Sequence, residues 1–324
     1  MTIMISKNFE ESLAQDIYGI AWNAYHREPT MWPELCEVIP LNTGDGMKGT
    51  AGIGLDILDE ISDTEEADVT TFHEGYPWRI RIRSKRKKFV ITEDMLSDAN
   101  KAKFAQTVEE LGNSWGEMVR LTEELDVSRL FNKGTLTVGD LEAFDGSFTD
   151  EDDAYPKFIY DSVPWFDGAH PLFLSATTTF SNITTSLTIT KTNIETVYEA
   201  MTITNAMNER NQEIVIQPDT ILTSPKNRFT LDAILGSQYG VDANLTINVI
   251  KGLVTPKYWR FIEDTDAWFM GKLKKGIKFF DRMPMRITVV KVPNKPIWEV
   301  EVKRRYGVGV VDWRYWYACN QADS

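Results

Sequence analysis

The chain has 324 residues, 42% of them hydrophobic and 26% charged, with a formal charge of −13, two cysteines and three histidines. At roughly 100–200 residues per domain this predicts about two domains, and so apolar a composition excludes a chain disordered throughout. No run of about 18 apolar residues marks a membrane span, the first residues lack the basic-then-apolar order of a secretory signal, and the acidic excess argues against a general nucleic-acid binder.

Residues 1–45 mix apolar and polar positions without steady periodicity and include Pro29, Pro33 and Pro40, which predicts an extended arm. Residues 56–68 then carry seven acids and no base: Asp56, Asp59, Glu60, Asp63, Glu65, Glu66 and Asp68. The sign reverses across residues 79–88, where Arg79, Arg81, Arg83 and Lys85 alternate with Trp78, Ile80, Ile82 and Ser84, followed by Arg86, Lys87 and Lys88. Period two predicts a strand with one cationic and one largely apolar face. The acids and the bases form two complementary segments that can meet on neighbouring copies of the chain, a pairing that fixes register more than it adds affinity.

A long helix is expected from Ser97, as N-cap, to a stop at Gly134, with Phe104, Val108, Leu111, Trp115, Met118 and Leu125 at three- and four-residue steps. Gly112 and Gly116 inside it imply close crossing by another element. An acid-rich loop over residues 140–153 leads into an aromatic segment, and the main boundary is placed there. Thr192 with Glu195 reads as a capping box opening a helix that ends near Asn211; residues 213–218 read as a short buried strand continued by 220–223, and residues 228–235 as a short helix closed by Gly236. Seven short β runs follow, at Leu245–Ile250, Tyr258–Ile262, Ala267–Met270, Ile277–Phe280, Met285–Val292, Ile297–Val302 and Gly307–Trp313. Helices and strands are segregated, which favours α+β over a doubly wound parallel sheet.

Chemistry-bearing patterns are sparse. Cys36 and Cys319 are two buried thiols on this reading, and His26, His73 and His170 have no partners at metal-ligand spacing. Asp167, His170 and Ser175 hold the letters of a hydrolase triad, but no oxyanion site accompanies them, so His170 reads as a loop histidine. Gly49, Gly52 and Gly54 lack the Lys-Ser/Thr pair of a phosphate cradle. No catalytic residue, cofactor or metal is expected.

The order of elements, together with Trp165-Phe166-Asp167-Gly168, His170-Pro171-Leu172-Phe173, Ile214-Val215-Ile216-Gln217-Pro218, Asp266-Ala267-Trp268-Phe269-Met270 and Arg305-Tyr306-Gly307-Val308-Gly309, resembles the major capsid proteins of tailed bacteriophages, the Hong Kong 97-like fold, and within them the Mu-like major head subunits. The resemblance spans roughly residues 160–320; the N-terminal half agrees in element order alone. It implies an N-terminal arm (1–45), an E-loop hairpin region (46–95), a P domain with a spine helix (96–175), an A domain (176–289) and C-terminal strands returning to the P domain (290–324). It further implies a structural, non-enzymatic subunit that self-assembles into hexamers and pentamers of an icosahedral shell around double-stranded DNA, without sequence-specific DNA binding. A separate scaffolding protein, a portal and a decoration protein would be its partners, with no membrane, and the virion, assembled in the host cytoplasm, its location. The expected contacts between subunits are Asp59, Glu60, Asp63, Glu65, Glu66, Asp68, Trp78, Arg79, Arg81, Arg83, Lys85, Arg86, Lys87 and Lys88. A cellular encapsulating compartment of the same fold is the alternative.

Overall fold

The computed structural model describes residues 6–44, 46–52, 74–92, 101–136, 161, 163–173, 177–238 and 247–321. In chain order these form α1 (Ser6–Tyr25), α2 (Trp32–Leu35), β1 (Glu37–Pro40), β2 (Gly46–Gly52), β3 (Glu74–Arg81), β4 (Arg83–Thr92) and the long α3 (Lys101–Asn132). Next come β5 (His170–Pro171), β6 (Thr179–Phe180), β7 (Ile183–Thr184), α4 (Lys191–Glu199), β8 (Thr220–Thr223) and α5 (Arg228–Gly236). The chain closes with β9 (Thr255–Tyr258), β10 (Trp268–Gly271), β11 (Ile277–Lys291), β12 (Ile297–Val310) and β13 (Trp316–Cys319).

Two sheets organise the molecule. One has the order β1-β11-β12-β4, the other β7-β13-β10-β8-β9. The first carries α1 and α3 on one face: Leu13, Ile17 and Ala21 of α1 and Val108, Trp115 and Val119 of α3 pack on Ile287, Val289, Val300 and Val302. The 32-residue α3 is about 48 Å long at 1.5 Å per residue. Its C-terminal turns, with Val127, Leu130 and Phe131, enter a second core shared with Phe279, Tyr306 and Phe269. Alternation along the second sheet then divides its residues, with Phe269, Leu222 and Trp316 facing that core and Trp268, Met270 and Ile221 facing a third one under α4 and α5.

Part of the expected arm is helical. Leu13, Ile17, Ala21 and Ala24 form a buried stripe, weak in hydropathy because half of it is alanine. Small residues suit it to its neighbour: a Cβ added at Gly112 would lie 2.7 Å from Ile20 Cγ2, and one at Gly116 would strike the Ala21 carbonyl. This is the close crossing that the two glycines imply. Leu125 departs from the expected stripe and is exposed, because Glu123 and Glu124 take the inward positions.

Other boundaries move for local reasons. The N-cap of α4 is Thr190, whose hydroxyl accepts from the Asn193 amide, and not Thr192. That helix ends in a π turn, Ala200–Thr204, several residues short of Asn211. Residues 213–218 are no strand: Glu213 makes an isolated bridge to Met207, and Val215 is exposed. The stretches read as separate strands at 277–280 and 285–292 are one strand, β11, continuing through irregular register around Met283. β11 therefore runs across the expected domain division at residue 289 and pairs wholly with the first sheet. Of the last strands, β12 lies beside the long helix, whereas β13 enters the second sheet between β10 and β7. Ser97 and the loop 140–153 fall outside the described residues.

Candidate assembly interface

The basic stretch occupies two places. β3 pairs with β2 in a two-stranded ribbon, and β4 is an edge strand of the first sheet, beside β12. The ribbon is fixed at its base. Ile80 lies on β12 where a Cβ at Gly307 would sit 2.5 Å from the Arg81 carbonyl oxygen and one at Gly309 2.8 Å from Ile80 Cγ1. Trp78 stacks on Phe280, with ring centroids 6.3 Å apart, and the Lys278 ammonium sits 5.2 Å from its ring centre.

The cations of β4 meet acids of their own chain. Lys85 Nζ lies 2.6 Å from Asp126 Oδ2, Arg86 Nη1 4.0 Å from Glu301 Oε1, and Lys88 Nζ 2.8 Å from Glu299 Oε2. Lys87 is exposed and has no ion-pair partner among the described residues. Arg81 is exposed and Arg83 half-buried; for Arg79 only the backbone, in β3, is described. Asp59, Glu60, Asp63, Glu65, Glu66 and Asp68 lie outside the described residues. Between β4 and α3 runs a groove of about 450 Å³, walled by Met118, Val119, Thr122 and Val302 and rimmed by Lys85, Arg86 and Lys87.

Beneath the groove sits a charge cluster that sequence reasoning missed. Arg304 Nε donates to Glu123 Oε1 at 2.6 Å, and Arg304 Nη1 and Nη2 donate to the two carboxylate oxygens of Asp281 at 2.5 and 3.2 Å. Nη1 also donates to the Met283 carbonyl, at the register shift of β11. Tyr25 donates to Glu123 Oε2 and Tyr306 to Asp126, both at 2.5 Å. Burial raises the Glu123 carboxyl above its ordinary range, against the lowering pull of Arg304 and Tyr25. The cluster joins α1, α3, β4, β11 and β12. The available signal was phase: Trp298, Val300, Val302, Arg304 and Tyr306 form one inward series of β12, so an inward arginine demanded buried acids.

The triad letters do not converge. His170 is fully buried rather than in a loop: Nδ1 lies 2.7 Å from Asp161 Oδ2, Nε2 lies 3.0 Å from Asn182 Oδ1, and the ring stacks on Trp313. Asp167 accepts from the Ala169 amide, and Ser175 lies outside the described residues. Burial raises the Asp161 carboxyl. Cys36 and Cys319 are buried free thiols, and burial pushes both up. Among the described residues no cluster of His, Cys, Asp or Glu suits a metal, and no helix is long and apolar enough to cross a membrane.

A long helix on one sheet beside a second sheet with its own helices gives a mixed helix-and-sheet architecture that matches phage capsid structures and is that of the Hong Kong 97-like fold. Solved phage structures share it. The chain matches the cyanophage A-1(L) capsid with TM-score 0.57 at 12% identity, covering 90% of this chain and 91% of that one. It matches the cyanophage P-SCSP1u capsid with TM-score 0.54 at 10% identity, covering 92% and 89%. For Mycobacterium phage Patience the TM-score is 0.51 at 12% identity, covering 98% and 87%. No curated protein matches the chain in sequence. The sequence profile of the phage capsid protein family matches residues 79–319, and the chain belongs to that family as a structural protein of the phage head. This favours a phage over a cellular compartment; the match is to the family as a whole and does not single out the Mu-like group.

Proposed function

We propose that copies of this chain close into an icosahedral shell of hexamers and pentamers around double-stranded phage DNA, joined in part through the β2–β3 ribbon and the basic strand β4. The first sheet with α3 is then the P domain and the second sheet with α4 and α5 the A domain. The observation that carries the reading is the ribbon, held at Ile80 and Trp78 and paired with no other strand among the described residues. The acid-rich segment 56–68 of a neighbouring copy is the occupant that suits the groove beside Lys87, which combines apolar walls with a cationic rim. Lys85, Arg86 and Lys88 are paired within the chain, each pair itself contributing little, so the base of this strand left to meet a neighbour's acids is Lys87, which has no ion-pair partner among the described residues. A net charge of −13 would let DNA move past the wall without adhering to it. A separate scaffolding protein, a portal and a decoration protein complete the set of partners, and assembly takes place in the host cytoplasm.

The test is Arg81→Glu combined with Arg83→Glu. Circular dichroism of the monomer should be unchanged and electron microscopy should show shells lost. Normal shells from the double variant would contradict the role given to these two strands.

A further inference from the structure

The most exposed large apolar side chains among the described residues all lie on the lobe built on the second sheet: Val215 (89% exposed), Phe229 (85%), Ile247 (76%), Val249 (74%) and Ile203 (63%). They divide between two flanks. Ile203 and Val215 line a groove of about 520 Å³ with Tyr198, Ala206 and Glu213. That groove is tied to the β7 end of the sheet, since Asn205 donates to the Ser181 carbonyl just ahead of β7. Phe229 stands on α5, which is tied to the β9 end, where Tyr258 donates to Asp232. Ile247 and Val249 lie beside the C-terminal end of that helix, where Asn248 donates to the Ile234 and Ser237 carbonyls. β7 and β9 are the two outer strands of the five-stranded sheet, so the flanks lie at its opposite edges.

Charge separates them in the same sense. Glu213 in the groove and Glu199 on α4 are exposed acids without an ion-pair partner among the described residues. On the other flank Lys251 is exposed and likewise without a partner among the described residues, between Val249 and Leu253.

We infer that the α5 flank of one copy, with Phe229 and Val249, docks into the Ile203–Val215 groove of the next copy, Lys251 of the one meeting Glu213 of the other. The contact is head to tail. Each copy offers one exposed apolar flank and one groove, so the contact repeats from copy to copy instead of stopping at a symmetric pair, and it closes into a ring where the rotation between copies allows. This rests on the capsid reading but uses neither the ribbon nor β4, so the two proposals fail separately.

The experiment uses two variants of the full chain, Val215→Asp and Phe229→Asp. Both side chains stand in solvent, and circular dichroism of each variant should match that of the unmutated chain. Each alone should raise the concentration needed for assembly about tenfold or more, as loss of an interface anchor does. Mixed in equal amounts they should form dimers and stop, because each retains one working flank; sedimentation velocity reads this directly. A charge exchange tests register, since Glu213→Lys should impair assembly and Lys251→Glu added to the same chain should restore it. Shells from either single variant at the concentration where the unmutated chain first assembles, or a mixture in which no dimer forms, would overturn the head-to-tail contact. Loss of shells from the ribbon variant while these two assemble normally would overturn this inference and leave the β4 proposal standing.

Discussion

On the four-stranded sheet, polar demand is met inside the chain: Arg304 has Glu123, Asp281 and the Met283 carbonyl, and Lys85 has Asp126. On the five-stranded sheet the interior is as well packed, with Trp268, Ile221 and Leu231 fully buried, yet Val215 and Phe229 stand in solvent. The first region is a frame whose long elements are locked to one another. The second is finished within and unfinished at its flanks, as suits a lobe that meets copies of itself. Stability should therefore respond to changes in the frame, and assembly to changes at the flanks.

The sharpest break in that contrast is Arg304→Ala. It leaves Glu123 and part of Asp281 facing each other across a buried space without their counter-charge, and should cost about 3–5 kcal/mol in urea unfolding. Val215→Asp and Phe229→Asp should each stay within about 0.5 kcal/mol in the same assay. Gly116→Val comes next. The new side chain meets the Ala21 carbonyl, so α1 must lift from α3 at about 1–3 kcal/mol, and protease access to residues 6–25 should rise.

The smallest effect is a pH dependence. Glu124 accepts from the Met31 amide at 2.6 Å and from Trp259 Nε1 at 2.7 Å, and burial raises its carboxyl above the ordinary 4.5. The folded chain thus holds this proton more tightly than the unfolded one. Its contribution is complete below about pH 4.5 and is lost as pH rises through the raised value, with a slope of at most about 1.4 kcal/mol per pH unit for one proton. Glu124→Gln should remove that part of the decline, measured as the difference between two denaturation series. Identical pH profiles would show that the carboxyl titrates alike in both states.

The frame was legible in sequence wherever its periodicity was apolar. The long helix, the two crossing glycines, the β-rich C-terminal third and the short helix before Gly236 follow from spacing alone. It became illegible where charge entered the core. Asp281 and Arg304 interrupt the alternation of β11 and β12, so each strand reads as two, and only their meeting with Glu123, far away in the chain, makes the charges compatible with burial. Alanine hid α1 in the same way, since Ala21 and Ala24 matter for their small size beside Gly116, which hydropathy does not register. Of the expected contact residues, the bases of β4 were correctly read as strand, but the acids at 299, 301 and 126 that take up Lys88, Arg86 and Lys85 come from distant elements that no local pattern announces. The exposed flank at Val215 was read as a buried strand because an apolar run looks the same whether it faces a core or a neighbour.

Electron microscopy of the purified, unmutated chain across a concentration series tests the account most directly. Closed shells are expected, with the β2–β3 ribbon of one copy lying on the β4 and α3 surface of another. A population that stays as single chains at every concentration and salt level would contradict it.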